Sequence, residues 1–108
     1  MRFFGLKTCD TCRKALILLR AAGHDPAVID VRADGVAAGD RDRIVALFGE
    51  SAINRASATW RGLNEDERML SPGDLLERHP TVMKRPVIEA DGVWSIGWDK
   101  AVQARFGV

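Results

Sequence analysis

The chain has 108 residues, with 16 Lys and Arg against 15 Asp and Glu, so its formal charge is +1 and no broad field is available for gripping nucleic acid or an anionic membrane. A hydrophobic share of 46% and a charged share of 29% are ordinary globular usage and exclude the disordered, collagen-like and coiled-coil classes. This length supports one domain, residues 1–108.

The longest apolar runs, such as Ala15 to Leu19, are too short to span a bilayer. The opening MRFFGLKTCDTCRK turns polar too early for a secretory signal, so a cytoplasmic location is expected. The only two cysteines stand three residues apart, whereas a secreted disulfide scaffold of this size would carry more at wider spacing.

Met1 to Gly5 and Ala27 to Val31 are short apolar runs that predict buried strands. Between them, Cys12, Ala15, Leu16 and Leu19 follow helical spacing, and Gly23 stands where a helix end wants a residue tolerant of positive φ. Strand, helix, strand implies a parallel βαβ unit with a right-handed crossover. Residues 32–39 predict a loop, after which Asp40 is expected to cap a short helix through Phe48, closed by Gly49. Ser71, Pro72 and Asp74 combine an N-cap, a first-position proline and an acid three residues past the cap, starting a helix that ends near His79 and Pro80. Val87 to Ala90 and Val93 to Gly97 flank Asp91-Gly92, a dipeptide suited to a tight hairpin, and Asp99 is placed to cap a closing helix with Ala101, Val102 and Phe106. No repeat, low-complexity tract or linker interrupts this order.

Cys9-Asp10-Thr11-Cys12 falls where the first strand hands over to the first helix. There the unpaired backbone N–H groups and the helix dipole favour a thiolate at Cys9, so its pKa should fall and the sulfur become nucleophilic. Cys12, one turn further in, begins the apolar stripe and should be more buried, a residue to resolve an adduct and not to attack. Lys7, Arg13 and Lys14 add positive charge around the pair in a minor role.

The alternative is a pair of packed, unreactive thiols, against which stands their place at a strand-to-helix turn. A structural zinc site lacks its other two ligands, since His24 and His79 are far too distant in sequence for a finger; both histidines suit helix ends instead. No metal is expected. No serine lies in a nucleophile elbow, and Trp60, Trp94 and Trp98 are expected to pack and not to stack on bases. Lys84-Arg85-Pro86 precedes the third strand, where proline belongs at a strand start with a small prior for the cis bond, and the Arg85 fork is suited to an oxyanion or carboxylate.

A βαβ unit with C-x-x-C at its first helix, then Arg-Pro opening a β-hairpin and a final helix, resembles the thioredoxin superfamily. GLKTCDTCRKAL, NRASATWRGL and HPTVMKRPVIEADG together resemble the arsenate reductase (ArsC) and Spx-like family, across essentially the whole chain. The resemblance implies an α/β thioredoxin-like fold (βαβ plus ββα) with a helical insertion over about residues 40–80. It implies that Cys9 is the nucleophile, that Arg55 binds an oxyanion, that Arg85 precedes a cis Pro86, and that Cys12 is the second cysteine of a redox dithiol. Cys9, Cys12 and Arg85 are thus the expected catalytic set, and Arg55, Arg85, Arg13 and Pro86 the expected anion- or substrate-binding set.

Two departures accompany this. Gly5-Leu6-Lys7-Thr8 stands where glutathione-dependent arsenate reductases have His-Asn-Pro, and Trp94-Ser95-Ile96-Gly97-Trp98 carries no match for their further arginine. The expected activity is a thiol-dependent reductase acting on a small oxyanion or a disulfide. No bound cofactor is expected, and glutathione, thioredoxin or glutaredoxin is the expected electron donor. The alternative is an Spx-like redox sensor that binds RNA polymerase without turnover; neither direct nucleic-acid binding nor membrane binding is expected.

Overall fold

The computed structural model describes residues 1–108. In chain order the elements are β1 (Arg2–Gly5), α1 (Asp10–Ala21), β2 (Ala27–Asp30), α2 (Ala38–Phe48), α3 (Ala58–Arg61), α4 (Glu65–Arg68), α5 (Pro72–Arg78), β3 (Val87–Ala90), β4 (Val93–Ile96) and α6 (Lys100–Arg105). Short 3-10 turns occupy Gly49–Ala52 and Pro80–Val82. The chain forms two compact units, one made of Met1–Asp30 and Arg85–Val108, the other of Val31–Lys84. This is a mixed α/β, thioredoxin-like chain with a helical segment inserted between its βαβ and ββα halves.

In the first unit the sheet order is β2-β1-β3-β4, with β1 and β2 parallel and the other pairs antiparallel. Phe3 and Ile88 are cross-strand partners and point to one face. The α1 stripe of Cys12, Ala15 and Leu19 closes over them, joined by Phe106 just beyond α6. Each fully buried side chain of the Phe or Leu class contributes about 1.5–3 kcal/mol relative to exposure, so this small cluster dominates the unit. On the opposite face Phe4 and Trp94 stack with ring centroids 5.8 Å apart. The Arg2 guanidinium lies 5.3 Å from each ring and pairs with Glu89 at 3.2 Å.

The strand pattern predicts a buried β2, but Ala27 and Val28 are exposed. As the sheet's edge, β2 has a neighbour on one side alone, and its burial begins only at Ile29 and Asp30, with Val31 fully enclosed beyond the strand. The hairpin forms as expected: Asp91 and Gly92 adopt φ of 54° and 75°, the twist that matches right-handed strands. Asp99 caps α6 by accepting the Val102 N–H at 2.9 Å.

In the second unit α2 buries Ile44 and α5 buries Leu75 and Leu76, together with Ala52, Val82 and Met83. An isolated bridge joins Ile53 to Met83. Asp40 is not the cap of α2. The helix starts earlier, with Ala37 at the N-cap and no side-chain bond there, and Asp40 occupies the first turn, where its charge still suits the dipole. Ser71 caps α5 as its motif demands, accepting the Asp74 N–H at 3.3 Å behind a first-position proline. Asn64 and Glu67 form a reciprocal capping box on α4. No helix is long and apolar enough to cross a membrane.

Candidate active site

Cys9 is the N-cap of α1. Its φ and ψ of −87° and 118° are extended, and its carbonyl already accepts the Arg13 N–H at 3.0 Å, so the sulfur stands at the open end of the helix. Both cysteines are free thiols, Cys9 half-buried and Cys12 2% exposed.

Partial burial pushes the Cys9 pKa up, but donors around the sulfur outweigh that and hold it below the ordinary thiol value. The strongest are the Cys12 N–H and the Cys12 thiol, followed by the Arg85 guanidinium acting as donor and as cation. The Cys12 N–H makes no conventional cap bond to the Cys9 side chain but still favours charge on its sulfur. Burial drives Cys12 the other way, to about 12, with the neighbouring Cys9 sulfur adding to the rise and the Leu6 N–H and Arg85 opposing it. One sulfur therefore favours the anion while the other keeps its proton and donates it.

Arg85 enters from the segment leading into β3, and the Arg85–Pro86 peptide is cis. Pro86 accepts the Gly97 N–H at 2.9 Å, which ties this segment to the end of β4. The first unit thus brings Arg85 to Cys9 and Cys12, with Pro86 next to it in the chain.

Arg13 lines a small hollow with Gly5, Leu6, Lys7 and Cys12. Arg13 pairs with Asp10 one helical turn back and holds that carboxyl below its usual range, and it is absent from the cations that act on Cys9. Lys7 lines the same hollow, and Arg85 is a cation that acts on the Cys9 sulfur. Arg55 belongs to the second unit, where its exposed guanidinium donates to Glu50 at 3.0 Å and lies 5.4 Å from the Trp60 ring centre. Arg68 lies on the same indole at 5.6 Å. Glu50, Ser51, Ile53, Asn54, Arg55 and Lys84 line an open hollow of about 420 Å³ there.

Both histidines have partners at the ends of their helices. His24 bonds the Phe106 carbonyl at 2.8 Å through Nε2 and meets the Phe106 ring edge-on, while His79 pairs with Glu67 at 2.8 Å. Trp94 packs on Phe4, and Trp98 packs against the α1 core, whereas Trp60 serves two guanidiniums.

Two contributors went unread in the sequence. Leu6 directs its N–H at Cys12 sulfur, and Gly5 leaves the space in which that sulfur sits. The available signal was a lone glycine at a strand end, which marks a bend or a close approach.

A family model described as the ArsC family matches residues 4–106. The chain belongs to the ArsC family. An uncharacterised protein of Haemophilus influenzae is 34% identical over 109 residues, covering 95% of this chain and 96% of its own. The solved structure of the YffB (PA3664) protein superimposes with a TM-score of 0.84 at 28% identity, covering 96% of each chain. The solution structure of an ArsC-related protein from Brucella melitensis gives 0.74 at 35% identity, covering 99% of this chain and 94% of that one. These superpositions extend over nearly the whole chain and match its thioredoxin-like fold.

Proposed function

We propose that this ArsC-family chain is a thiol-dependent reductase with Cys9 as nucleophile. The observation that carries it is the seat of Cys9 at the N-terminus of α1, with the Arg85 guanidinium acting on its sulfur. A disulfide is the substrate class that asks least of such a site. Cys9 thiolate attacks one sulfur, the substrate S–S bond breaks, and the departing sulfur leaves as a thiolate that takes a proton from solvent. Arg85 stabilises negative charge on the sulfurs as it moves.

Resolution requires a second thiolate to attack the Cys9 mixed disulfide. Glutathione does so from solution, oxidised in the process to its disulfide. Cys12 resolves internally once Cys9 is no longer anionic, because the Cys9 charge that raises Cys12 is then gone, although burial still opposes its ionisation. Thioredoxin or glutaredoxin then returns electrons to the oxidised pair. With arsenate, the Cys9 thiolate displaces one oxygen of As(V), which takes up protons from solvent and leaves as water, while Arg85 neutralises charge on the remaining oxygens; a second thiol then attacks the Cys9 sulfur, and the two thiols are oxidised to a disulfide as As(III) is released.

The test is adduct trapping. Purified protein is treated separately with oxidised glutathione and with arsenate, and the product is located by mass spectrometry in wild type, Cys9→Ser and Cys12→Ser. A glutathione adduct on Cys9 that accumulates in Cys12→Ser supports the mechanism with internal resolution, and equal adduct in both proteins assigns resolution to the external thiol. No adduct on Cys9 with either reagent overturns the assignment.

A further inference from the structure

Gly5 ends β1 and Cys12 lies one turn into α1, yet they are close neighbours. A Cβ added to Gly5 would stand 3.1 Å from Cys12 Sγ and 2.7 Å from Phe3 Cε1, against an ordinary contact of 3.4–4 Å. Phe3 and Cys12 are 0% and 2% exposed, so what room they have to retreat lies in the small hollow that they line with Gly5, Leu6 and Leu16. Gly5 is outside the left-handed region, so its requirement is for space and not for conformational freedom. The next residue, Leu6, aims its N–H at the same sulfur. Glycine gap and amide together make a seat for the Cys12 thiol at the end of β1.

We propose that Gly5 is a positioning residue for the thiol pair, its missing Cβ letting Cys12 Sγ settle against the end of β1 with its S–H turned to Cys9 Sγ. The proposal rests on Cys9 being the nucleophile and names the backbone position that aims its thiol donor. Adding a methyl group crowds the Phe3 ring and, by a few tenths of an ångström, Cys12 Sγ, which Cys12 relieves either by turning about its Cα–Cβ bond or by moving with α1. Moving α1 disturbs Ala15 and Leu19, both fully buried in the same cluster, so the side-chain swing costs less. That swing takes the S–H away from Cys9, while the Cys12 N–H and Arg85 remain.

The experiment is the pH–rate profile for iodoacetamide alkylation of Cys9, with Cys9→Ser as the zero control. Gly5→Ala is expected to move the midpoint to higher pH, with about a tenfold loss of thiolate below it, the effect of one charge-assisted hydrogen bond. In a Cys12→Ala background, adding Gly5→Ala should move nothing, since the donor is already gone. A folded Gly5→Ala with the wild-type profile overturns the proposal, as does an equal shift without the Cys12 sulfur.

Phe3→Leu/Gly5→Ala relieves the second crowded contact and gives the same measurement should Gly5→Ala not fold. If that pair also fails to fold, recovery of the fold on adding Cys12→Ala identifies the sulfur as the obstruction, and continued failure overturns the proposal. Absence of reductase turnover with this pattern intact would remove the proposed function and leave Gly5 in its role.

Discussion

At Cys9 three groups compete with burial, and their removal one at a time has distinct consequences. Arg85 both donates to the sulfur and places a cation beside it, so Arg85→Met should raise the Cys9 pKa and lower its thiolate-dependent rate at neutral pH by about tenfold or more, the scale of one lost charged hydrogen bond. Arg85→Lys keeps the charge and loses the planar fork, and should fall between the two. Ultraviolet titration of the thiolate in the three proteins checks the order; identical midpoints would show that Arg85 does not act on this sulfur. The placement of Cys9 at the helix end and the deeper burial of Cys12 were legible because helix position is written into the spacing and Cys12 begins the apolar stripe. The pairing of Arg13 with Asp10 was not legible. The sequence neighbourhood of cations hides the fact that Asp10 lies one turn away on the same surface, the spacing at which helix side chains meet. Arg55 likewise finds Glu50, five residues back, through the turn at Gly49–Ala52. Because that pair is exposed, Glu50→Gln should change the unfolding free energy by less than about 1 kcal/mol in a denaturant titration.

The helices of this chain are short, and their ends therefore carry much of what specifies them. α6 spans only Lys100–Arg105, and Asp99 supplies its side-chain cap. Asp99→Ala should destabilise the protein by about 1 kcal/mol, read as a lower denaturant midpoint at unchanged slope, whereas Asp99→Asn and Asp99→Ser should retain most of the stability. Loss on all three substitutions equally would assign Asp99 to some contact other than the cap. Elements with a chemical signature at their boundary were read correctly: Ser71-Pro72 before α5, Asp91-Gly92 between β3 and β4, and Asp99 before α6 each leave a specific hydrogen bond or a specific φ behind. α2 carries such a signature only at its end, where Gly49 closes the helix as expected with φ of 52°. Its N-cap is Ala37, so the nearest good capping residue in the sequence, Asp40, drew the boundary inward although it serves the dipole from inside the first turn. For β2 the misreading has another origin. Its composition is that of a buried strand, but burial depends on how many strands flank it, and sheet order is a non-local property of the chain.

Across the whole molecule the first unit is assembled from two distant stretches, with β3 returning to pair with β1 only after residues 31–84 have been laid down. A long interruption of this kind is tolerated because closure entropy grows slowly, by about 0.6 kcal/mol for each doubling of length. The resemblance to the family made the insertion legible, since nothing in local patterning marks a strand as the partner of one so far away. Folding of this unit also creates the cysteine environment, so the ionisation of the two thiols is linked to global stability. Cys9 is depressed in the folded protein relative to its ordinary value of 9.0, and Cys12 is raised from 9.0 to about 12. Between the folded Cys9 value and 9, the unfolded chain holds a proton on Cys9 that the folded one has released, so stability rises with pH. Between 9 and about 12 the unfolded chain has lost both protons while the folded one keeps that of Cys12, so stability falls. The thiol contribution should therefore peak near pH 9, and each cysteine should own one side of the peak. Cys12→Ala should abolish most of the alkaline fall, and Cys9→Ser most of the rise below it, when unfolding free energies of the variants are subtracted from wild type at each pH. A Cys12→Ala difference curve that is flat from neutral pH to about 12 would mean that this sulfur is not held protonated by the fold, and the division of labour between the two thiols would fail with it.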